Sequence, residues 1–184
     1  ESAAVTIVEV ADADSDTLDF AGLANGAVSV DLGVTVERTV VTGLALTLSS
    51  ASGIENIVGT PLADTLVGNA RDNSIRGLAG GDSLSGKGGD DGLDGGDDRD
   101  TVVEAADVDL TLTATTLTGL GKDTLAGIEV ASLTGGDGAN TFTVASWTGD
   151  ALLTGGAGSD AFVFTGTVAT GVKIVEGADV DADR

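Results

Sequence analysis

The sequence predicts an all-β solenoid, a chain wound into stacked coils of short strands, and three observations predict it. A nine-residue period runs through its middle, strict apolar–polar alternation flanks that block, and the composition favours tight turns between short strands.

The period is the strongest of the three. From Gly59 to Val103 the chain divides into five nonapeptides: GTPLADTLV, GNARDNSIR, GLAGGDSLS, GKGGDDGLD and GGDDRDTVV. Position one is always Gly (Gly59, Gly68, Gly77, Gly86, Gly95). Position six is Asp or Asn (Asp64, Asn73, Asp82, Asp91, Asp100), and position eight is aliphatic (Leu66, Ile75, Leu84, Leu93, Val102). One inward aliphatic per short strand builds a ladder-like core, and glycine supplies backbone angles that tight turns require. Two single copies follow, GGDGANTFT at 135–143 and GGAGSDAFV at 155–163, with Asn140 and Asp160 at position six and Phe142 and Phe162 pointing inward. A degenerate copy, ADADSDTLD, covers 11–19.

These repeats resemble the RTX (repeats-in-toxin) nonapeptide G-G-x-G-x-D-x-U-x, where U is a large aliphatic residue. The resemblance implies a right-handed parallel β-solenoid, the β-roll, with RTX-type turns over the first six residues and a short strand over the last three. It also implies Ca2+ held between turns stacked on one edge. The expected ligands are the side chains of Asp64, Asn73, Asp82, Asp91, Asp100, Asn140 and Asp160, together with turn carbonyls. The expected pairs are Asp64 with Asp82, Asn73 with Asp91, and Asp82 with Asp100. Leu62 and Arg71 replace the fourth-position glycine, and Asn73 lacks a charge, so the first two turns are the weaker sites. Stacked carboxylates about 4.8 Å apart repel unless a cation lies between them; turn capping is the competing role for such Asp residues.

Alternation extends the strand reading beyond the repeats. Val28, Val30, Leu32, Val34 and Val36 form one run, Leu44, Leu46 and Leu48 a second, and Val108, Leu110 and Leu112 a third. They read as wider coils of the same stack. Gly53-Ile54-Glu55 is echoed by Gly127-Ile128-Glu129. The organisation expected is one continuous solenoid: 1–58 as N-terminal coils with an acidic entry segment, 59–103 as the repeats, 104–134 as alternating-strand coils, and 135–184 as degenerate repeats with an acidic tail. That tail, IVEGADVDAD at 174–183, matches IVEVADADSD at 7–16 at seven of ten positions. The echo predicts one module of a longer tandem array. Its Asp12, Asp14 and Asp16, and Asp179, Asp181 and Asp183, form two D-x-D-x-D runs, weaker candidate calcium sites; Thr17 and Leu23 occupy the places where an EF-hand needs Gly and Glu.

Composition sets the remaining bounds. Gly contributes 29 of 184 residues and Pro one, while 41% of residues are apolar, too many for a disordered acidic chain. The formal net charge of −22 repels nucleic acid and anionic membranes and favours hard cations. No apolar run reaches the roughly 18 residues of a membrane span. Without His or Cys, no Ser–His or thiol chemistry is available, although Gly81-Asp82-Ser83-Leu84 spells a hydrolase block. The chain is therefore expected not to be an enzyme. The function expected is a calcium-stabilised structural or adhesive module of a secreted or bacterial cell-surface repeat protein, with copies of itself or neighbouring modules as end-to-end partners in filaments or matrix. The competing reading is the calcium-binding C-terminal region of a secreted enzyme or toxin. Neither end of the coil shows an evident cap in sequence.

Overall fold

An aliphatic side chain every nine positions gives each half-coil a single inward anchor, so stability has to come from stacking coil upon coil. The computed structural model of this chain, described over residues 3–9, 12, 14–24 and 26–176, has that organisation and contains only strands. β1 (Ala3–Ile7) precedes a first coil, β2 (Thr17–Asp19) and β3 (Ser29–Asp31), and a hairpin, β4 (Arg38–Val41) and β5 (Leu44–Leu48). Three regular coils carry the nonapeptides: β6 (Asn56–Val58) with β7 (Thr65–Val67), β8 (Ser74–Ala79) with β9 (Ser83–Ser85), and β10 (Gly92–Asp97) with β11 (Thr101–Ala105). β12 (Leu110–Thr113), β13 (Thr116–Thr118), β14 (Lys122–Ala126) and β15 (Val130–Thr134) follow. The last coils are β16 (Thr141–Ala145) with β17 (Asp150–Thr154) and β18 (Ala161–Thr165) with β19 (Val172–Val175).

Successive half-coils alternate between two sheets, so residues 18 apart become neighbours. One sheet runs β18-β16-β12-β13-β14-β10-β8-β6-β2 and the other β19-β17-β15-β11-β9-β7-β3. Parallel registers carry the position-eight residues into two ladders. Leu18, Ile57, Ile75, Leu93 and Leu125 align in the first sheet, and Val30, Leu66, Leu84, Val102, Ala131 and Ala151 in the second. All are buried, and they share one core cluster with Phe142 and Trp147. Trp147, the one tryptophan of the chain, lies in that core, and its Nε1 donates to the Asp150 carbonyl at 3.1 Å. Phe142 and Phe162 stack at 5.1 Å, continuing the ladder with rings. The fold is a parallel β-roll.

Three segments depart from the expected simple stack. Residues 110–126 form an antiparallel meander instead of a wider parallel coil. β12 pairs forward with β16, β13 turns back, and β14 pairs with β10. The turn is closed by Thr113 Oγ1, which accepts the Thr116 amide at 3.0 Å. Leu110, Leu112, Leu117 and Leu125 still face inward, because alternation serves either strand direction equally. Second, the Val28–Val36 run breaks at Gly33, whose amide donates to Asp31 Oδ1 at 2.9 Å; Val28, Val30 and Leu32 are buried but Val36 is exposed.

The third departure is an N-terminal cap. β1, β5 and β4 form a separate sheet. Its Val40, Leu46 and Leu48 face the first coil's Leu18 and Val30 across a shared cavity. At the other end nothing among the described residues covers β18 and β19, and Phe164 and Ile174 are each 42% exposed although their registers point them inward.

Candidate metal centre

Stacking places turns two apart on one edge, and their position-six side chains link into a ladder. Asp82 Oδ1 accepts the Asp64 amide and Asp100 Oδ1 the Asp82 amide, both at 2.7 Å. On the opposite edge Asp91 Oδ1 accepts the Asn73 amide at 2.7 Å. Farther along, Asp160 Oδ1 accepts the Asn140 amide at 2.8 Å. The structure thus brings together the pairs Asp64 with Asp82, Asn73 with Asp91, Asp82 with Asp100, and Asn140 with Asp160.

The seven turns nevertheless divide into two kinds. In turns 77–82, 86–91, 95–100 and 155–160 the backbone is left-handed at positions two and four. The φ values are 87° at Leu78 and 99° at Gly80, 73° at Lys87 and 106° at Gly89, 104° at Gly96 and 82° at Asp98, and 96° at Gly156 and 89° at Gly158. Turns 59–64, 68–73 and 135–140 have no left-handed residue at those positions. In these the position-two amide turns inward onto the position-six oxygen. Thr60 N–H donates to Asp64 Oδ2, Asn69 N–H to Asn73 Oδ1 at 2.8 Å, and Gly136 N–H to Asn140 Oδ1 at 2.9 Å. Thr60 Oγ1 adds a bond to Asp64 Oδ1 at 2.9 Å. These three turns satisfy their own acceptors.

The other four do not. Oδ2 of Asp82, Asp91, Asp100 and Asp160 is buried and has no hydrogen-bond partner among the described residues. A buried, unpaired carboxylate oxygen is costly. Non-glycine residues in the left-handed region, here Leu78, Lys87 and Asp98, add about 1–2 kcal/mol each. Both costs fall together on turns 77–82, 86–91 and 95–100, as expected where a further group completes the site, while turn 155–160 has glycine at both left-handed positions. In two of these turns the position-one glycine also faces a carbonyl, as it does at Gly59, Gly68 and Gly135. A Cβ on Gly77 would overlap Asp82 Oδ2 and come within 2.6 Å of the Gly95 carbonyl, and one on Gly95 would overlap Asp100 Oδ2 and the Gly127 carbonyl. Only glycine fits position one there. Among the described residues no three acidic side chains converge, so a cation here would complete its shell with backbone oxygen or water, as Ca2+ with its six to eight oxygen ligands does.

Electrostatics point the same way. Burial pushes the Asp91 carboxyl up to about 7, and the neighbouring Asp123 adds to the shift. Burial raises Asp82 to about 6, assisted by Asp100, Asp64 and Asp98. Asp100 is raised by burial and then by Glu129, and Asp123 by burial and Asp90. A hard cation would reverse this direction.

The ladder also uses carboxylates outside the nonapeptides. Asp123 Oδ1 accepts the Asp91 amide at 3.1 Å and Glu129 Oε2 the Asp100 amide at 3.0 Å, so both edges continue past the repeat block. Glu55 Oε2 accepts the Asp16 amide at 3.1 Å at the other end. Their signal in the sequence is the acid-x-aliphatic tail (Glu55-x-Ile57, Asp123-x-Leu125, Glu129-x-Ala131), which persists where the turn is shorter. Arg71, at position four of the second turn, supplies a cation of its own. Its guanidinium reaches Glu55 at 2.6 Å and the Ser52 and Asp12 carbonyls at 2.7 and 3.0 Å. In the D-x-D-x-D run, Asp12 and Asp14 are exposed and Asp12 Oδ1 caps the Asp14 amide at 2.9 Å. Asp179, Asp181 and Asp183 lie outside the described residues.

The family model for the RTX calcium-binding nonapeptide repeat, four copies long, matches residues 58–93 and again 67–102. The nonapeptide block consists of RTX repeats. RTX repeats bind Ca2+, and the unbonded carboxylate oxygens of Asp82, Asp91, Asp100 and Asp160 suit that ion. No curated protein matches the chain.

Proposed function

We propose that this chain is a calcium-stabilised structural segment of a secreted, cell-surface repeat protein, and that it serves adhesion or the building of an extracellular filament or matrix. The observation that carries the reading is the set of four buried, unbonded carboxylate oxygens in the four left-handed turns. A cation completes them; without one they oppose folding. The net charge of −22 adds to that opposition. Folding and Ca2+ binding are then one equilibrium. A chain held loose at low intracellular calcium folds where external calcium is abundant, which suits export.

In this reading the ligands are the carboxylates of Asp82, Asp91, Asp100 and Asp160, with turn carbonyls. Asp64, Asn73 and Asn140 act mainly as turn caps. RTX repeats are calcium-binding scaffolding and supply no catalytic group, in keeping with a role as rod. The test is far-UV circular dichroism during a calcium titration, with magnesium as control. A cooperative gain of β-signal with calcium alone supports the reading. Equal folding in chelator refutes it.

A further inference from the structure

β1 and β19 carry the same Val-x-Ile-Val-Glu pattern, which runs one or two residues past each strand. Val5, Ile7, Val8 and Glu9 recur as Val172, Ile174, Val175 and Glu176, 167 residues later. Each is an edge strand, and each has the partner that the other lacks. β1 pairs in parallel with β5, in the register Val5 with Leu46, Thr6 with Thr47 and Ile7 with Leu48. β19 pairs in parallel with β17, in the register Val172 with Ala151, Lys173 with Leu152 and Ile174 with Leu153.

The pleat agrees on both sides. Leu46, Leu48, Ala151 and Leu153 are all buried, so the Val and Ile of the shared pattern face core in both settings. Yet Val5 and Ile174 are each 42% exposed, because among the described residues each is covered from one flank only.

We propose that β19 of one copy takes the place of β1 in a second copy of this chain, so that a single strand lies between β17 of the first and β5 of the second. The β1–β5 pairing already present in the molecule is the interface that this joint continues, and the predicted register across it is Val172 with Leu46, Lys173 with Thr47 and Ile174 with Leu48. The joint closes two exposed edges at once and runs the sheet unbroken from one copy into the next. It rests on reading the chain as a repeating segment, but not on which turns bind calcium.

The test is a fusion in which Glu176 is followed directly by residues 10–184 of a second copy, studied in saturating calcium. The chain has no cysteine, so an engineered pair reports register alone. Thr6→Cys with Thr47→Cys in the single chain calibrates the geometry and shows that the fold accepts the pair. In the fusion, Lys173→Cys in the first copy and Thr47→Cys in the second should then form a disulfide, whereas Lys173→Cys with Ala45→Cys, two residues out of register, should not. Amide exchange at 172–175 should slow by at least tenfold relative to the single chain. If the calibrating pair closes while the Lys173→Cys and Thr47→Cys pair stays reduced, or if exchange at 172–175 is unchanged, the joint is wrong. Loss of calcium-dependent folding in the single chain would refute the proposed function instead.

Discussion

Turns 68–73 and 77–82 follow one another in sequence, have the same length, begin with glycine and end on an Asx residue, yet they solve the same problem in opposite ways. In the first, the Asn69 amide reaches back to Asn73 and closes the turn on itself, while Arg71 brings a guanidinium to Glu55. In the second, Leu78 and Gly80 are left-handed, no amide reaches Asp82 Oδ2, and no basic side chain neutralises it. One turn is complete as a peptide; the other leaves a buried carboxylate oxygen unbonded, the place where the proposed ion would sit. The difference lies in the direction of one peptide plane, not in the residue at position six alone.

The largest effect expected from this contrast is on calcium itself. Asp82→Asn keeps an oxygen to accept the Asp64 amide but removes the charge. It should weaken calcium-driven folding by roughly tenfold or more, since even a supporting partner of a metal ligand is worth about 10–100-fold. Asp64→Asn should shift the same titration less than twofold, because Asp64 is already bonded to Thr60. Equal shifts in the two variants would erase the distinction between the turns.

Next in size is a pH effect confined to the calcium-free chain. Asp91 and Asp82 titrate in the fold at about 7 and about 6, above the 3.8 of a free carboxyl, so the fold binds more protons than the unfolded chain between those values. Stability is therefore highest below about pH 4 and is lost as pH rises through 6 to 7. Chelated protein should be more structured at pH 5 than at pH 7.5 by circular dichroism, and at pH 5 more calcium should be needed for a given response. The opposite order in chelator would contradict the assignment of buried, like-charged carboxylates.

Smaller effects probe the backbone. Lys87 is left-handed and its charge favours the ionised form of the buried Glu104. In thermal unfolding of the calcium-bound chain, Lys87→Gly should therefore be about 1 kcal/mol more stable than Lys87→Ala, which loses the same charge but keeps the strain. Thr60→Val removes only the hydroxyl that binds Asp64 and should cost about 0.5–1.5 kcal/mol with or without calcium. A calcium-dependent cost at Thr60 would move that turn into the other class.

What the sequence made legible follows from the length scale of each signal. The aliphatic at position eight recurs every nine residues, so the rungs inside the block were legible, whereas Ile57, Leu125, Ala131 and Ala151 lie beyond its boundaries. Pairing of turns two apart was equally readable. The meander at 110–126 was not, because Leu110, Leu112 and Leu117 alternate identically whether the neighbouring strand runs with or against them. Asp123 and Glu129 were hidden by shortened turns that break the nine-residue phase. The division of the turns was only half visible: Leu62 and Arg71 mark turns one and two, but Leu78 and Lys87 are side chains that do not advertise a left-handed backbone.

The central claim, that four turns need an ion and three do not, is tested most directly by anomalous diffraction from calcium-saturated crystals. The account predicts peaks against Oδ2 of Asp82, Asp91, Asp100 and Asp160, with the Thr60, Asn69 and Gly136 amides still bonded to Asp64, Asn73 and Asn140. Peaks that displace those three amides, or carboxylates at 82, 91, 100 and 160 with no ion beside them, would contradict it.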